Sequence, residues 1–138
     1  MSKQKIFDCI TFYNENVLVN SRFEILNSVV DYFIIVESVF DHKGNKKKIN
    51  FELLNSKFKN KVRHIVIKEN FPNSSDGWEV EAFQREKIHE GIQDANENDL
   101  IMFSDSDEIP NPELIKKIDL KKKYGIFLQK FYVYKINI

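Results

Sequence analysis

The stretch "FSDSDEIPNP" (103–112) sets three carboxylates, Asp105, Asp107 and Glu108, into four positions, after an apolar run and before two prolines. Side chains alternate along an extended chain, so if residues 105–107 continue a strand, Asp105 and Asp107 face one point and Ser106 the other. Two like charges held together raise each other's proton affinity unless a cation intervenes, and a hard divalent ion with oxygen ligands, Mn2+ or Mg2+, meets that need. Held by only a few protein carboxylates, the ion keeps positions open for the oxygens of a diphosphate and neutralises the charge that grows as the diphosphate departs. The competing reading is structural: the same acidic run caps a helix beginning near Pro110, where negative charge is favourable.

Other chemistries fit the spacing less well. Counted from Asp105, the glycine that an EF-hand needs falls on Pro110 and its terminal glutamate on Lys116. An aspartyl nucleophile of the D-x-D phosphatase type belongs after the first strand, where this chain has "FYNEN". Glycoside hydrolysis wants carboxylates on either side of a sugar rather than packed along one turn. Transfer from an activated donor suits the cluster better.

The elements that must position these groups alternate along the chain. "KIFDCITFY" (5–13), "DYFIIVESV" (31–39), "VRHIVIKE" (62–69) and "DLIMFSD" (99–105) are β-branched, aromatic or continuously apolar and predict buried strands, with a fifth over "GIFLQKFYVYKI" (125–136). Leu18, Ile25, Leu26 and Val29 fall at helical spacing and predict a helix over 16–29. Asp76 precedes Glu79 as in a capping box and opens a second helix through Val80, Phe83, Ile88, Ile92 and Ala95. "NPELIKKI" predicts a short helix, and "INFELLNSKF" a short helix or an irregular covering piece. Such alternation favours right-handed crossovers and an α/β fold: a mostly parallel, Rossmann-like sheet with helices on both faces. Open sheets of this kind bind ligands outside the carboxyl ends of their strands, and Asn14, Glu15, Glu37 and Asp105 reach that edge together.

Composition narrows the partners. A chain of 138 residues, 42% hydrophobic and 30% charged, suits one domain spanning 1–138. Lys plus Arg equals Asp plus Glu, at 21 each, so no overall field draws it to nucleic acid or an acidic membrane. Cys9 stands alone in an apolar stretch, as a small buried hydrophobe and not part of a disulfide or zinc site. No signal-peptide core and no membrane-length apolar run is present, which points to the cytoplasm. "NSS" at Asn73 matches a glycosylation acceptor that has no consequence without secretion.

Arg22 falls inside the buried helical stripe, where an unpaired charge is costly, and so requires a carboxylate or carbonyl partner. Arg85 borders the apolar side of its helix, either reaching a diphosphate or pairing with Glu81. Trp78 covers a ligand or staples the helix start, and His42, His64 and His89 lack metal-ligand spacing.

In "KIFDCITFYNE", "VVDYFIIVES" followed by "FDHKG", "WEVEAFQR", "NDLIMFSDSDEIPNP" and "FYVYKINI", the chain resembles glycosyltransferase family 17, that of the β-1,4-mannosyl-glycoprotein N-acetylglucosaminyltransferases and their bacterial and viral relatives. The resemblance runs from about Lys5 to Asn137. It implies a GT-A fold, a nucleotide-sugar donor such as UDP-GlcNAc, a divalent metal and inverting transfer to a saccharide hydroxyl. It further implies donor contacts from Phe12, Asn14, Glu37, Gln84, Arg85, Asp105 and Ser106, and metal ligation by Asp105 and Asp107. Only the amino-terminal, donor-binding part of the family domain is matched, so the fold is expected to be incomplete at its carboxyl end and the catalytic base to lie beyond residue 138. A fragment, a shortened gene and a homo-oligomer that completes its site with a second copy all accommodate this, and the alternative to a transferase is a non-catalytic module that binds a nucleotide sugar or an inactive truncated fragment.

Overall fold

The computed structural model describes residues 3–72, 76–120 and 122–129. Four strands, β1 (Ile6–Phe12), β2 (Tyr32–Ser38), β3 (Val62–Ile67) and β4 (Leu100–Phe103), form one parallel sheet in the order β3-β2-β1-β4. Helix α1 (Asn16–Leu26) joins β1 to β2, α2 (Gly77–Glu86) and α3 (Ile88–Gly91) lie between β3 and β4, and α4 (Pro112–Ile115) follows β4. This is the expected Rossmann-like α/β layering. Parallel pairing demands crossovers, and right-handed crossovers running in opposite directions from β1 place their helices on opposite faces.

The two-residue period of the strands sorts the core into two layers. Ile10, Phe12, Phe33 and Ile35 cluster with Val19, Phe23 and Leu26 of α1. Phe7, Cys9, Ile34 and Val36 cluster with Ile88, against which Phe83 and Ile92 pack. Asp8 falls in step with Ile10 and Phe12, and Glu37 in step with Phe33 and Ile35, so both acids point toward the α1 layer. Cys9 is fully buried, and burial pushes its thiol up to about 12, so it behaves as a small hydrophobe.

Helix α1 ends at Leu26 rather than at 29, and its buried face differs from the expected stripe. Val19, Arg22, Phe23 and Leu26 are buried, while Ile25 is 47% exposed. The face is turned by about one position, with Val19 and Phe23 buried beside Leu26, while Arg22 stays inside it as expected. The long helix expected from Asp76 through Ala95 breaks at Lys87, which lets Ile88 and Gly91 drop onto the sheet. Asp76 caps α2 as expected, its Oδ1 accepting from the Trp78 amide at 2.9 Å. Trp78, 74% exposed, does not staple the helix start.

The "INFELLNSKF" segment is irregular apart from one 3-10 turn over Ser56–Phe58. Two asparagines one helical turn apart on α1 hold it. Asn16 donates to Asn50 O and accepts from the Glu52 amide, and Asn20 donates to Glu52 O and accepts from the Leu54 amide. Of the expected fifth strand, residues 125–129 carry no strand, and the remainder lies outside the described residues, as does the 73–75 triplet. Among the described residues no helix is long and apolar enough to cross a membrane.

Gly91 is required where α3 meets β2. A Cβ there would lie 2.4 Å from Ile34 Cγ2, a branched methyl that cannot swing aside. Gly91→Ala is expected to destabilise the fold by about 1–3 kcal/mol through overpacking, measured by urea unfolding.

Candidate functional site

The strand order reverses at β1: the chain first builds outward through β2 and β3, then returns to pair β4 on the other side. The carboxyl ends of β1 and β4 therefore flank the switch point, where open α/β sheets bind ligands. Tyr13–Glu15 follow β1, the acidic run follows β4, and the loop 39–47 follows β2. A cleft of ≈ 410 Å³ opens here, lined by Thr11, Phe12, Tyr13, Glu15, Ser38, Phe40, Asp41, His42, Lys43, Lys47 and Gln84. A smaller cavity of ≈ 110 Å³ shares Thr11, His42 and Gln84 with it and adds Glu81, Arg85 and Asp105.

The acidic run is not extended. β4 stops at Phe103, and Ser106 and Asp107 form a turn in which the Glu108 amide donates to Asp105 O and the Asp105 amide donates to Glu108 Oε2, both at 3.1 Å. The alternation expected of a continued strand therefore does not apply to Asp105 and Asp107. Arg22, with no solvent exposure, lies beneath this turn. Its Nε and Nη2 donate to the two oxygens of buried Asp8 at 2.8 and 2.7 Å. Nη2 also donates to Ser104 Oγ at 2.7 Å, and Nη1 to the carbonyls of Asp105, Ser106 and Glu108 at 3.0, 3.3 and 3.1 Å. The carboxylate and carbonyl partners required by a buried guanidinium are thus both present. Ser106 Oγ donates to Glu15 Oε1 at 3.1 Å, and Glu15 Oε2 accepts from the Asn14 amide, tying the turn to the end of β1.

Glu37 sits at the end of β2 but has no exposure, and its carboxylate is filled by the chain itself. Oε1 accepts from Lys47 Nζ and the Asn50 amide, both at 2.7 Å, and Oε2 from the Phe51 amide and His64 Nε2, both at 3.1 Å. Four donors match the roughly four acceptor sites of a carboxylate, so a nucleoside would have to displace one of them. As arranged, Glu37 fixes the segment behind Lys47, whose ammonium lies 5.4 Å from the Tyr13 ring centre at the cleft. Burial holds the His64 imidazole below its ordinary 6.5 against the pull of Glu37, and the neutral ring must carry its proton on Nε2 to donate.

Phe12 is a core residue, 2% exposed, with its ring edge-on to Phe51. Asn14 is exposed beside the cleft and Gln84 is buried. Gln84 Nε2 donates to Val36 O at 3.1 Å, which turns Oε1 to His42 Nε2 at 3.0 Å. Because that oxygen only accepts, His42 carries its proton on Nε2. Arg85 pairs with Glu81 at 3.4 Å and lies over the Phe103 ring, yet still borders the smaller cavity. Asp105 and Asp107 are both exposed. Asp105 lines the smaller cavity; Asp107 lines neither, and no hydrogen bond or ion pair among the described residues engages its carboxylate. No group of three or more His, Cys, Asp or Glu among the described residues could hold a metal ion.

Sequence reasoning missed Asp8, His42 and Lys47 as builders of this edge. Asp8 had one available signal, a lone acid in a buried strand, which demands a partner as strongly as Arg22 does. His42 and Lys47 are placed by the loop 39–47, in which Asp41 Oδ1 accepts from the Lys43 and Asn45 amides and Gly44 takes φ +82°.

Comparison with known proteins follows the same residues. The family described as glycosyltransferase family 17 matches residues 1–136. The β-1,4-mannosyl-glycoprotein 4-β-N-acetylglucosaminyltransferases of Rattus norvegicus and Homo sapiens are each 27% identical to the chain, and that of Mus musculus 26%. Each comparison covers 78% of this chain and 22% of the relative, so the chain spans well under a third of these proteins. No solved structure matches.

Two measurements check the Glu37 network. Glu37→Ala strands a largely buried ammonium and two amides and is expected to cost about 3–5 kcal/mol in urea unfolding. Because His64 binds a proton less readily folded than unfolded, its contribution is complete above pH 6.5 and is lost as pH falls from there through the lower folded value. The slope of stability against pH in that window is expected to flatten in His64→Gln.

Proposed function

We propose a function from one premise: this chain belongs to glycosyltransferase family 17. The crevice at the β1/β4 switch point is the donor site of a metal-dependent glycosyltransferase, which moves a sugar from a nucleoside diphosphate to a saccharide hydroxyl with inversion. One observation carries the reading: the acidic turn stands at the switch point, with Asp105 on a cavity that shares Thr11, His42 and Gln84 with a neighbouring cleft of ≈ 410 Å³. The larger cleft, walled by Tyr13, His42 and Lys47, takes the nucleoside, and the diphosphate extends toward Asp105 and Arg85.

The donor set fits a divalent cation. Asp105 and Asp107 would be the ligands, and a pair of protein carboxylates is compatible with an ion of the Mg2+ type, which takes one or two carboxylates and fills its remaining positions with substrate phosphates and water. When bound, such an ion supplies charge neutralisation to the departing diphosphate. The residues present do the positioning: the turn offers its carboxylates, Arg85 adds positive charge within reach of the cavity, and Gln84 holds His42 against the sheet. No residue is assigned as the base that takes the acceptor proton. The relatives are named as N-acetylglucosaminyltransferases, which makes UDP-GlcNAc the donor to try first.

Calorimetric titration of UDP-GlcNAc with Mn2+ is expected to give saturable binding that falls at least about tenfold with chelator or in Asp107→Ala, a loss of roughly 1.4 kcal/mol or more. Equal binding with and without metal overturns the metal role. A folded chain that binds no nucleotide sugar overturns the donor site.

A further inference from the structure

We infer that Arg22 is a positioning residue for the acidic turn and, through it, for the diphosphate end of the donor; this rests on the function proposed above. Arg22 belongs to α1 and touches neither cavity, so no contact with a ligand brings it to notice. What singles it out is where its donors go. A guanidinium has five N–H groups in a planar fork. Asp8 takes two of them, Ser104 Oγ takes one, and the two on Nη1 are shared among the carbonyls of Asp105, Ser106 and Glu108. Three carbonyls from four consecutive residues therefore converge on one buried nitrogen. A structural ion pair between α1 and β1 would need only the Asp8 half of this pattern.

The consequence concerns the carboxylates. Drawing the carbonyls inward onto Nη1 fixes the backbone of a turn whose two aspartates are exposed, and fixes it from below, by a group that competes for neither carboxylate. Asp8 matches the positive charge of Arg22 at bonding distance, which weakens the repulsion Arg22 would exert on a cation bound above the turn. Ser104 extends the same device: its hydroxyl accepts from Arg22 Nη2 and lies 3.2 and 3.1 Å from the carbonyls of Asp105 and Glu108. Lysine cannot substitute, since its single ammonium has three donors and no fork. It can stay beside Asp8, but it cannot grip both Asp8 oxygens and the turn together.

The test uses the full chain, Arg22→Lys and the milder Ser104→Ala, with folding checked by circular dichroism. Hydrogen exchange at the Asp105 and Glu108 amides is read without ligand, and UDP titrations are run with Mn2+ and, for comparison, uridine titrations without metal. Faster exchange confined to the turn is expected in both variants. UDP affinity with Mn2+ is expected to fall about tenfold in Arg22→Lys, the effect of losing charge-assisted hydrogen bonds, with uridine affinity unchanged. A folded Arg22→Lys with native exchange at the turn and native UDP affinity overturns the inference, as does an equal loss of UDP and uridine binding. If Arg22→Lys does not fold, Ser104→Ala decides: unchanged exchange at the turn overturns the inference. A native chain that binds no UDP at all overturns the proposed function instead, and the exchange comparison still decides whether Arg22 holds the turn.

Discussion

A guanidinium shut away from water must find a counter-charge and an acceptor for every N–H, and the way Arg22 meets that demand organises the site. Its counter-charge, Asp8, lies in the central strand, so the pair locks α1 onto β1. Its remaining acceptors are the hydroxyl and carbonyls of the segment leaving β4, so the same group closes the acidic turn. Buried ion pairs stabilise little on balance against an apolar alternative, but removing one partner typically costs about 3–5 kcal/mol. Such a pair is poorly explained as a source of stability and better explained as a fixer of geometry. The turn it fixes has both aspartates exposed.

Glu37 performs the corresponding task on the other side of β1. It stands level with Phe12 in the sheet register and gathers Lys47, His64 and the amides of Asn50 and Phe51. The wall of the larger cleft is thereby attached to the sheet, while the asparagines of α1 hold the continuation of the same segment. The crevice is thus bounded by two polar networks, each rooted in an acid that shares the α1 face of the sheet. Gln84 adds a third attachment from the opposite layer, through Val36 O, and presents His42 between the two cavities.

Much of this frame was legible in the residues. β-branched, aromatic or continuously apolar runs marked all four described strands, and the alternation of strand and helix foretold the layering, because both are set by local periodicity. Arg22 was legible for a different reason, that a charge at a buried helical position demands a partner. The same principle applied to Glu37 would have foretold its burial, but a strand-end position reads equally well as exposed, and its four donors come from segments 10 to 27 residues away. The break at Lys87 was invisible because the apolar period continues through it, and the need for Gly91 appears only when α3 is laid against Ile34. The turn at Ser106 was hidden likewise: whether the chain stays extended after Phe103 depends on Arg22, 83 residues from Asp105.

The central claim, that a nucleoside diphosphate and a divalent cation meet at the Arg22-held turn, is tested most directly by the paramagnetism of Mn2+. Backbone amide resonances of the labelled chain would be recorded at low Mn2+ with and without UDP. Selective broadening at 105–108 that appears only when UDP is added, accompanied by shifts in the loop 41–47, is the result the account predicts. Broadening spread over unrelated surface carboxylates, or unaffected by UDP, would contradict it.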